Sequence, residues 1–208
     1  LADTEHLHLL AFQDTFGARG WTLERDAYFA NYVGYDDRDL IRGFSRDNGL
    51  GIGESEVDAI LLDKSRRYDR RIADGAVLFP TATAAVARLS ASFRLAIASG
   101  SLRGEILSIL RSNNLLQSFS VVVGADDVAR SKPAPDPYAA AVDRLGVLPA
   151  SAVAIEDSHW GLTAARAAGL KTIGITTTYP ARALSLADAI VDSLDEVTPE
   201  MVDDLLKG

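Results

Sequence analysis

The spacing of hydrophobic residues changes near residue 76 and divides the chain into two parts. Before that point, apolar side chains such as Leu40, Ile41 and Phe44 recur at the intervals that place them on one face of a helix. Glycines interrupt this spacing at three places, namely residues 17–20, residue 34 and residues 49–53. Because such glycines are typical of helix ends and turns, we predict a small helical bundle over residues 4–75.

In the second part, strand-like runs alternate with helical spacing. Short aliphatic and β-branched runs predict strands at residues 94–99, 120–124, 152–156 and 172–176. Helical patterns follow at residues 81–91, 102–113, 136–145 and 160–168. Thr198 and Pro199 suit the N-cap and first position of a last helix. This alternation predicts an α/β core with a parallel sheet covered by helices on both faces, formed by residues 1–3 and 76–208.

Polar groups stand where several of these strands end. Ser99 closes the first strand, Glu156 and Asp157 close the third, and Lys132 lies in the loop that follows the second. The carboxyl edge of a parallel sheet is where open α/β folds bind ligands. A hydroxyl, an ammonium group and two carboxylates at one edge would suit a phosphate together with Mg²⁺.

The first two of these motifs are suited to an anion. Gly100 lets the backbone N–H groups of the Ser99-Gly100-Ser101 segment approach a phosphate at a helix start. Lys132 precedes Pro133, whose ring favours an extended conformation for the residue before it. Each motif also has a plain structural interpretation, since Ser-Gly-Ser is common at turns and a lysine in a proline-rich loop is usually a surface residue.

The adjacent carboxylates of Glu156 and Asp157 would repel each other at a sheet edge without a cation. Mg²⁺ prefers oxygen ligands and would remove that repulsion. The alternative is that Asp157 or Ser158 serves only as the N-cap of the helix that starts near His159.

Composition excludes several classes of function. The formal charge of −8 disfavours nucleic acid as a partner, because phosphate backbones are bound through clustered Lys and Arg. The absence of cysteine excludes disulfides, thiolate metal sites and a cysteine nucleophile. No apolar run approaches the roughly 20 residues that a membrane helix needs, and no signal-peptide pattern opens the chain. We therefore expect a cytoplasmic protein with no membrane partner, whose oligomeric state the sequence leaves open.

The order and spacing of the Ser-Gly-Ser, Ser-Lys-Pro-Ala-Pro-Asp and Glu-Asp-Ser motifs resemble the haloacid dehalogenase superfamily of phosphohydrolases, in the branch of phosphoglycolate phosphatases and β-phosphoglucomutases. The resemblance implies a Rossmann-like core with a helical cap domain at residues 4–75. It also implies Mg²⁺ as cofactor, with Asp157 as its ligand and Glu156 in support. Ser99 and Lys132 would then bind the transferring phosphoryl group.

The family's first motif is Asp-x-Asp-Gly-[Thr/Val], and Leu1 to Glu5 resemble the residues immediately after it. The resemblance thus implies that the nucleophilic aspartate lies upstream of Leu1 and that the first core strand is missing from this chain. We expect the polypeptide of residues 1–208 alone to have little or no phosphatase activity.

Three residues of the predicted cap are candidates for substrate contact by the same resemblance. His8 occupies the place of a histidine that β-phosphoglucomutases use to couple the cap to catalysis. Arg38 falls in the cap-loop region that reaches the substrate, and Lys64 resembles a substrate-facing lysine. A solvent-facing or capping role for His8 is equally compatible with the sequence.

The function that the resemblance implies is Mg²⁺-dependent hydrolysis of a small phosphorylated metabolite, such as a sugar phosphate or phosphoglycolate, through an aspartyl-phosphate. A β-phosphoglucomutase-like sugar-phosphate mutase is the alternative enzyme. A non-catalytic phosphate-binding remnant is the alternative if the chain is complete as given. The sequence does not identify the substrate.

Overall fold

The structure, a computed structural model, describes residues 1–32, 35, 37–73 and 78–207. The chain forms two compact units, one of residues 2–77 and the other of Leu1 with residues 78–208. Gly34, which we predicted to interrupt a helix, lies outside the described residues, as does the predicted boundary at residues 75–76. Within the part of the chain that the structure describes, no helix combines the length and apolarity needed to span a membrane.

The first unit is helical, as its hydrophobic spacing predicts. Its helices are α1 (Thr4–Gly17), α2 (Arg25–Asn31), α3 (Asp37–Asp47) and α4 (Glu54–Ala73). Asp3 caps the first of them, because its side chain accepts a hydrogen bond from the backbone N–H of His6 at 3.0 Å. The predicted apolar face of Leu40, Ile41 and Phe44 is buried, which confirms the interpretation of its spacing.

Aromatic side chains dominate the core of this helical unit. The rings of Phe16 and Phe44 stack with their centroids 4.3 Å apart, and Phe12 and Tyr28 join the same buried cluster. Burial of such large apolar side chains stabilises the unit, because each removes extensive apolar surface from water.

The second unit has the predicted α/β alternation. Its strands are β1 (Leu95–Ala98), β2 (Phe119–Val123), β3 (Val153–Glu156), β4 (Lys171–Ile175) and β5 (Ala189–Val191). Its helices are α5 (Ala82–Ser90), α6 (Arg103–Ser112), α7 (Asp136–Leu145), α8 (His159–Ala167) and α9 (Pro199–Lys207). The four predicted strands are thereby confirmed, and β5 is an additional one whose three residues are too few to show a pattern.

All the strand pairs are parallel among the residues that the structure describes. β1 pairs with β2, while β3, β4 and β5 form a second sheet in that order. The alternation predicted one sheet, whereas the described strands pair in these two groups. Both groups share apolar contacts, since Leu95 of β1 lies in the same core cluster as Ile155 of β3.

Helix α7 fixes the arrangement that matters for the candidate site. It packs against β1, β2 and α8, and its residue Tyr138 lies in one buried cluster with Ala98 of β1 and Ala154 of β3. The loop before α7 is therefore held close to the carboxyl end of β3.

Candidate active site

The centre of the candidate site is Glu156, the last residue of β3, whose side chain is 7% exposed. Its oxygen Oε1 accepts hydrogen bonds from the Lys132 ammonium group and from the Tyr138 hydroxyl. Its other oxygen, Oε2, accepts one from the Ser158 hydroxyl at 3.2 Å. Because a buried carboxylate is costly without such partners, these three donors are what allows Glu156 to lie inside the protein.

Lys132 reaches this carboxylate from the loop that precedes α7. Its ammonium nitrogen lies 5.0 Å from the centroid of the Tyr138 ring, which adds a cation–π contact to the ion pair. The end of the loop is fixed by an ion pair in which Arg130 contacts Asp136, the first residue of α7, at 2.8 Å. Lys132 is thus placed by its own loop and by the helix that follows.

Burial and the neighbouring Glu156 carboxylate raise the pKa of Tyr138 well above its ordinary value. Both causes disfavour the phenolate, since one removes water from it and the other repels its charge. Tyr138 is consequently a hydrogen-bond donor at every pH where the protein would be assayed.

Asp157 has different surroundings from Glu156, although the two residues are adjacent. It is partly exposed, and its oxygen Oδ2 accepts a hydrogen bond from Thr178, which follows β4. Ser158 is the N-cap of α8, because its hydroxyl oxygen accepts from the backbone N–H of Gly161 at 3.0 Å. Of the two capping alternatives, Ser158 is therefore the residue that caps the helix.

The Ser99-Gly100-Ser101 segment forms a bend directly after the end of β1. The backbone N–H of Ser99 continues the strand pairing to Val123 O at 3.0 Å, and the N–H of Ser101 donates to Ser99 Oγ at 3.1 Å. A Cβ atom built on Gly100 would lie 3.8 Å from Ser131 Oγ. The segment therefore lies beside the loop that carries Lys132.

The donor set suits a hard cation only in part. Among the described residues, no group of three or more His, Cys, Asp or Glu side chains is positioned to hold a metal ion. Both oxygens of Glu156 already accept hydrogen bonds, and its charge is neutralised by Lys132. Asp157 offers a partly exposed carboxylate, the type of ligand that Mg²⁺ prefers.

Two of the three candidate residues of the helical unit meet in one cluster. The Lys64 side chain is 2% exposed, and its ammonium nitrogen lies 2.6 Å from His8 Nδ1 and 2.6 Å from Asp37 Oδ2. The His8 ring stacks on Tyr68 at 4.3 Å, and Lys64 lies over the ring of Tyr68 at 4.8 Å. Burial, helped by the Lys64 charge and opposed by Asp37, lowers the pKa of His8 to about 4.

Arg38 forms its ion pairs with other residues than those of this cluster. It is a partly exposed residue of α3, and its guanidinium group contacts Glu54 at 3.2 Å and Asp58 at 2.6 Å. These hydrogen bonds direct the guanidinium group to carboxylates of α4 rather than to His8 or Lys64. The structure therefore brings His8 and Lys64 together but gives Arg38 different partners.

Several residues of these clusters had no role in the interpretation of the sequence. Tyr138 lies within the proline-rich motif, at the third position of α7, where its aromatic side chain was a signal that could have been used. Thr178 and Asp37 gave no such signal, because their partners are distant in the sequence.

Comparison with known families agrees with the motifs. The family model described as haloacid dehalogenase-like hydrolase matches residues 1–175. Protein CbbY from Rhodobacter capsulatus is 34% identical over 186 residues, which are 86% of this chain and 82% of that protein. Phosphoglycolate phosphatase from Salmonella typhimurium is 34% identical over 140 residues, which are 65% of this chain and 56% of that protein.

Solved structures are similar to this chain over most of its length. CbbY from Rhodobacter sphaeroides in complex with phosphate has a TM-score of 0.80 at 31% identity, covering 98% of this chain and 94% of that one. A mutant of the same protein in complex with xylulose-(1,5)bisphosphate has a TM-score of 0.78 at 31% identity, covering 94% and 91%. A putative β-phosphoglucomutase from Thermotoga maritima has a TM-score of 0.75 at 26% identity, covering 100% and 94%.

Proposed function

The chain belongs to the haloacid dehalogenase-like hydrolase family, and from this premise we propose that it hydrolyses a phosphoric monoester of a small phosphorylated metabolite, a sugar phosphate or sugar bisphosphate before others. The observation that supports this most is the ion pair between Lys132 and Glu156 at the end of β3, beside Asp157. It provides a cation of fixed position next to a carboxylate that can bind a metal ion.

Lys132 binds the phosphate in this proposal. An ammonium group has three N–H donors, and the contact with Glu156 Oε1 occupies one of them. The others are directed to the phosphoryl oxygens, whose charge must be stabilised during transfer. The Ser99-Gly100-Ser101 segment contributes its hydroxyl and backbone N–H groups to the same oxygens.

Asp157 is the residue of this chain that would hold Mg²⁺, and Glu156 would support it by fixing Lys132. When bound, Mg²⁺ would neutralise charge on the phosphate and help to orient it. The attacking aspartate, which becomes phosphorylated and is then hydrolysed, belongs in this scheme to a segment upstream of Leu1. Thr178 holds the Asp157 carboxylate through its hydrogen bond to Oδ2.

The choice of substrate class follows the comparisons. The CbbY complex with xylulose-(1,5)bisphosphate matches 94% of this chain, including both compact units. The match to phosphoglycolate phosphatase covers 56% of that enzyme, which makes phosphoglycolate the weaker candidate. We therefore place sugar phosphates and bisphosphates first.

The helical unit serves as the cap in this proposal and selects the substrate. Lys64 and His8 are its first candidates, because they form a buried polar cluster that a helical bundle does not need for stability alone. Arg38 is the weaker candidate, since two carboxylates already engage its guanidinium group.

A sugar-phosphate mutase is the second candidate, which the similarity to the putative β-phosphoglucomutase of Thermotoga maritima favours. The two reactions differ in their product. A phosphatase releases inorganic phosphate, whereas a mutase returns the phosphoryl group to the sugar.

The test is a comparison of the products formed by the protein purified from its natural source. Xylulose 1,5-bisphosphate, β-glucose 1-phosphate and 2-phosphoglycolate would each be supplied with Mg²⁺, and both phosphate release and sugar isomerisation would be followed. Lys132→Met is expected to abolish turnover, whereas Lys207→Met, an exposed lysine of α9, is the matched control. Turnover that survives Lys132→Met would contradict the proposal, and isomerisation faster than phosphate release would favour the mutase.

A further inference from the structure

Two donors share one oxygen atom at the centre of the candidate site. The Lys132 ammonium group and the Tyr138 hydroxyl both donate to Oε1 of Glu156, while Oε2 has the longer hydrogen bond from Ser158. Tyr138 is buried at 7% exposure, so its hydroxyl group is kept from water and directed to this carboxylate. The partner of the hydroxyl group is therefore the Glu156 carboxylate rather than water.

The other contacts of Glu156 do not fix its orientation equally well. Ser158 caps α8 through Gly161, and its hydrogen bond to Oε2 is the longest of the three at 3.2 Å. Lys132 has a long flexible side chain that follows the carboxylate rather than holding it. Tyr138, by contrast, has a ring packed in the cluster between β1, β3 and α8. Its hydroxyl is therefore held at the carboxylate by the packing of the ring.

We propose that Tyr138 is a positioning residue, whose hydroxyl fixes the Glu156 carboxylate and thereby holds the Lys132 ammonium group where it meets the phosphoryl oxygens. The inference rests on the proposed phosphatase function for its kinetic consequence. Its structural part, the dependence of Lys132 on the Tyr138 hydroxyl, stands on the contacts of this chain alone.

The kinetic test uses Tyr138→Phe, which removes the hydroxyl and keeps the ring that Lys132 lies over. We expect kcat to fall on the order of tenfold, because a hydrogen bond to a charged group is lost, with KM changing less than kcat. Tyr32→Phe is the matched control, since the Tyr32 hydroxyl donates to the Asp47 carboxylate at 2.9 Å in the helical unit. This control is expected to keep the parental kcat.

The Glu156→Gln background shows whether Tyr138 acts through the carboxylate. If it does, Tyr138→Phe lowers kcat much less in that background than in the parent, because the positioned group has already been changed. Equal losses in the two backgrounds would overturn the proposed route. So would a loss in Tyr32→Phe as large as that in Tyr138→Phe.

A spectroscopic measurement separates this inference from the proposed function. In the 208-residue chain labelled with ¹⁵N-lysine, the Lys132 ammonium signal is assigned by its disappearance in Lys132→Arg. We expect Tyr138→Phe to shift that signal and speed its exchange with water, and Tyr32→Phe to leave it unchanged. Glu156→Gln is the second variant, and it is expected to alter the same signal even if Tyr138→Phe does not fold.

The outcomes distinguish the two claims. If the parent protein turns over none of the three phosphorylated substrates, the proposed function fails, while a Lys132 signal that shifts in Tyr138→Phe still supports the positioning role. If the parent is active but its Lys132 signal is the same with and without the Tyr138 hydroxyl, the positioning role is overturned and the proposed function stands.

Discussion

The backbone of Gly161 lies directly against the carboxylate of Glu156. A Cβ atom built on Gly161 would overlap the carboxylate carbon and both of its oxygens. Gly161 is the third residue of α8, and the N-cap Ser158 holds its backbone N–H. The start of α8 and the Glu156 carboxylate therefore occupy neighbouring space that leaves no room for a side chain.

Gly161→Ala is expected to displace Glu156 and to lower both stability and activity. Overpacking of this kind costs about 1–3 kcal/mol, and here the displaced group is also the partner of Lys132. Thermal unfolding and phosphate release would measure the two effects. Gly104→Ala is the matched control, because Gly104 is the second residue of α6 and nothing lies within 4 Å of its built Cβ. An alanine there should be neutral or slightly stabilising, and equal behaviour of the two variants would contradict the argument.

Lys132→Met is expected to lower stability by about 3 kcal/mol, because it leaves the buried Glu156 carboxylate without its cation. The double variant with Glu156→Gln should regain most of that stability, since the unpaired charge is then removed. Activity should not return, because the ammonium group that we propose to bind the phosphate is still absent. Urea unfolding and phosphate release would be measured for all three proteins. Recovery of activity in the double variant would show that Lys132 has only a structural role.

The sequence predicts the fold well where periodicity and motifs are local. The helical spacing around Leu40 and the strand run that ends at Glu156 both lie where they were expected. The division of the strands into two groups was not predictable, because pairing depends on contacts between distant segments. Strand β5 was missed for a simpler reason, which is its length of three residues.

The candidate site shows the same limit at the level of side chains. The motifs predict that Lys132 and Glu156 lie near one edge, and the structure places them in contact. We expected a metal ion to relieve the repulsion between Glu156 and Asp157, whereas at Glu156 the neutralising cation is the lysine. That Lys132 would pair with Glu156 rather than Asp157 depends on side-chain geometry, which spacing alone does not specify.

Asp157→Asn is expected to abolish Mg²⁺-dependent turnover, because it removes the charged carboxylate that we propose as a ligand of the ion. Thr178→Val tests the role of the Asp157 carboxylate by a smaller change, since it removes only the hydrogen bond to Oδ2. It should raise the Mg²⁺ concentration needed for half-maximal activity several-fold, while Thr177→Val, an exposed neighbour, should not. Activity of the parent that persists after chelation with EDTA would contradict a metal at this carboxylate.

His8 should make the stability of the helical unit depend on pH. Its folded pKa is lowered to about 4 from an ordinary value of 6.5, so the unfolded chain takes up a proton before the folded protein does. The contribution of His8 therefore leaves the free energy of unfolding at its highest above pH 6.5, and this free energy falls as the pH drops from 6.5 towards 4. The expected loss is on the order of 2 kcal/mol, allowing for the partial exposure of the ring.

The measurement is the urea midpoint of the parent and of His8→Gln at several pH values between 4 and 7. His8→Gln should remove most of the pH dependence in that window, because Gln does not titrate and can still accept a hydrogen bond from Lys64. His6→Gln, on the same helix α1, is the control and should retain the parental slope. If His6→Gln flattened the curve and His8→Gln did not, the buried cluster of His8, Lys64 and Asp37 could not be the cause.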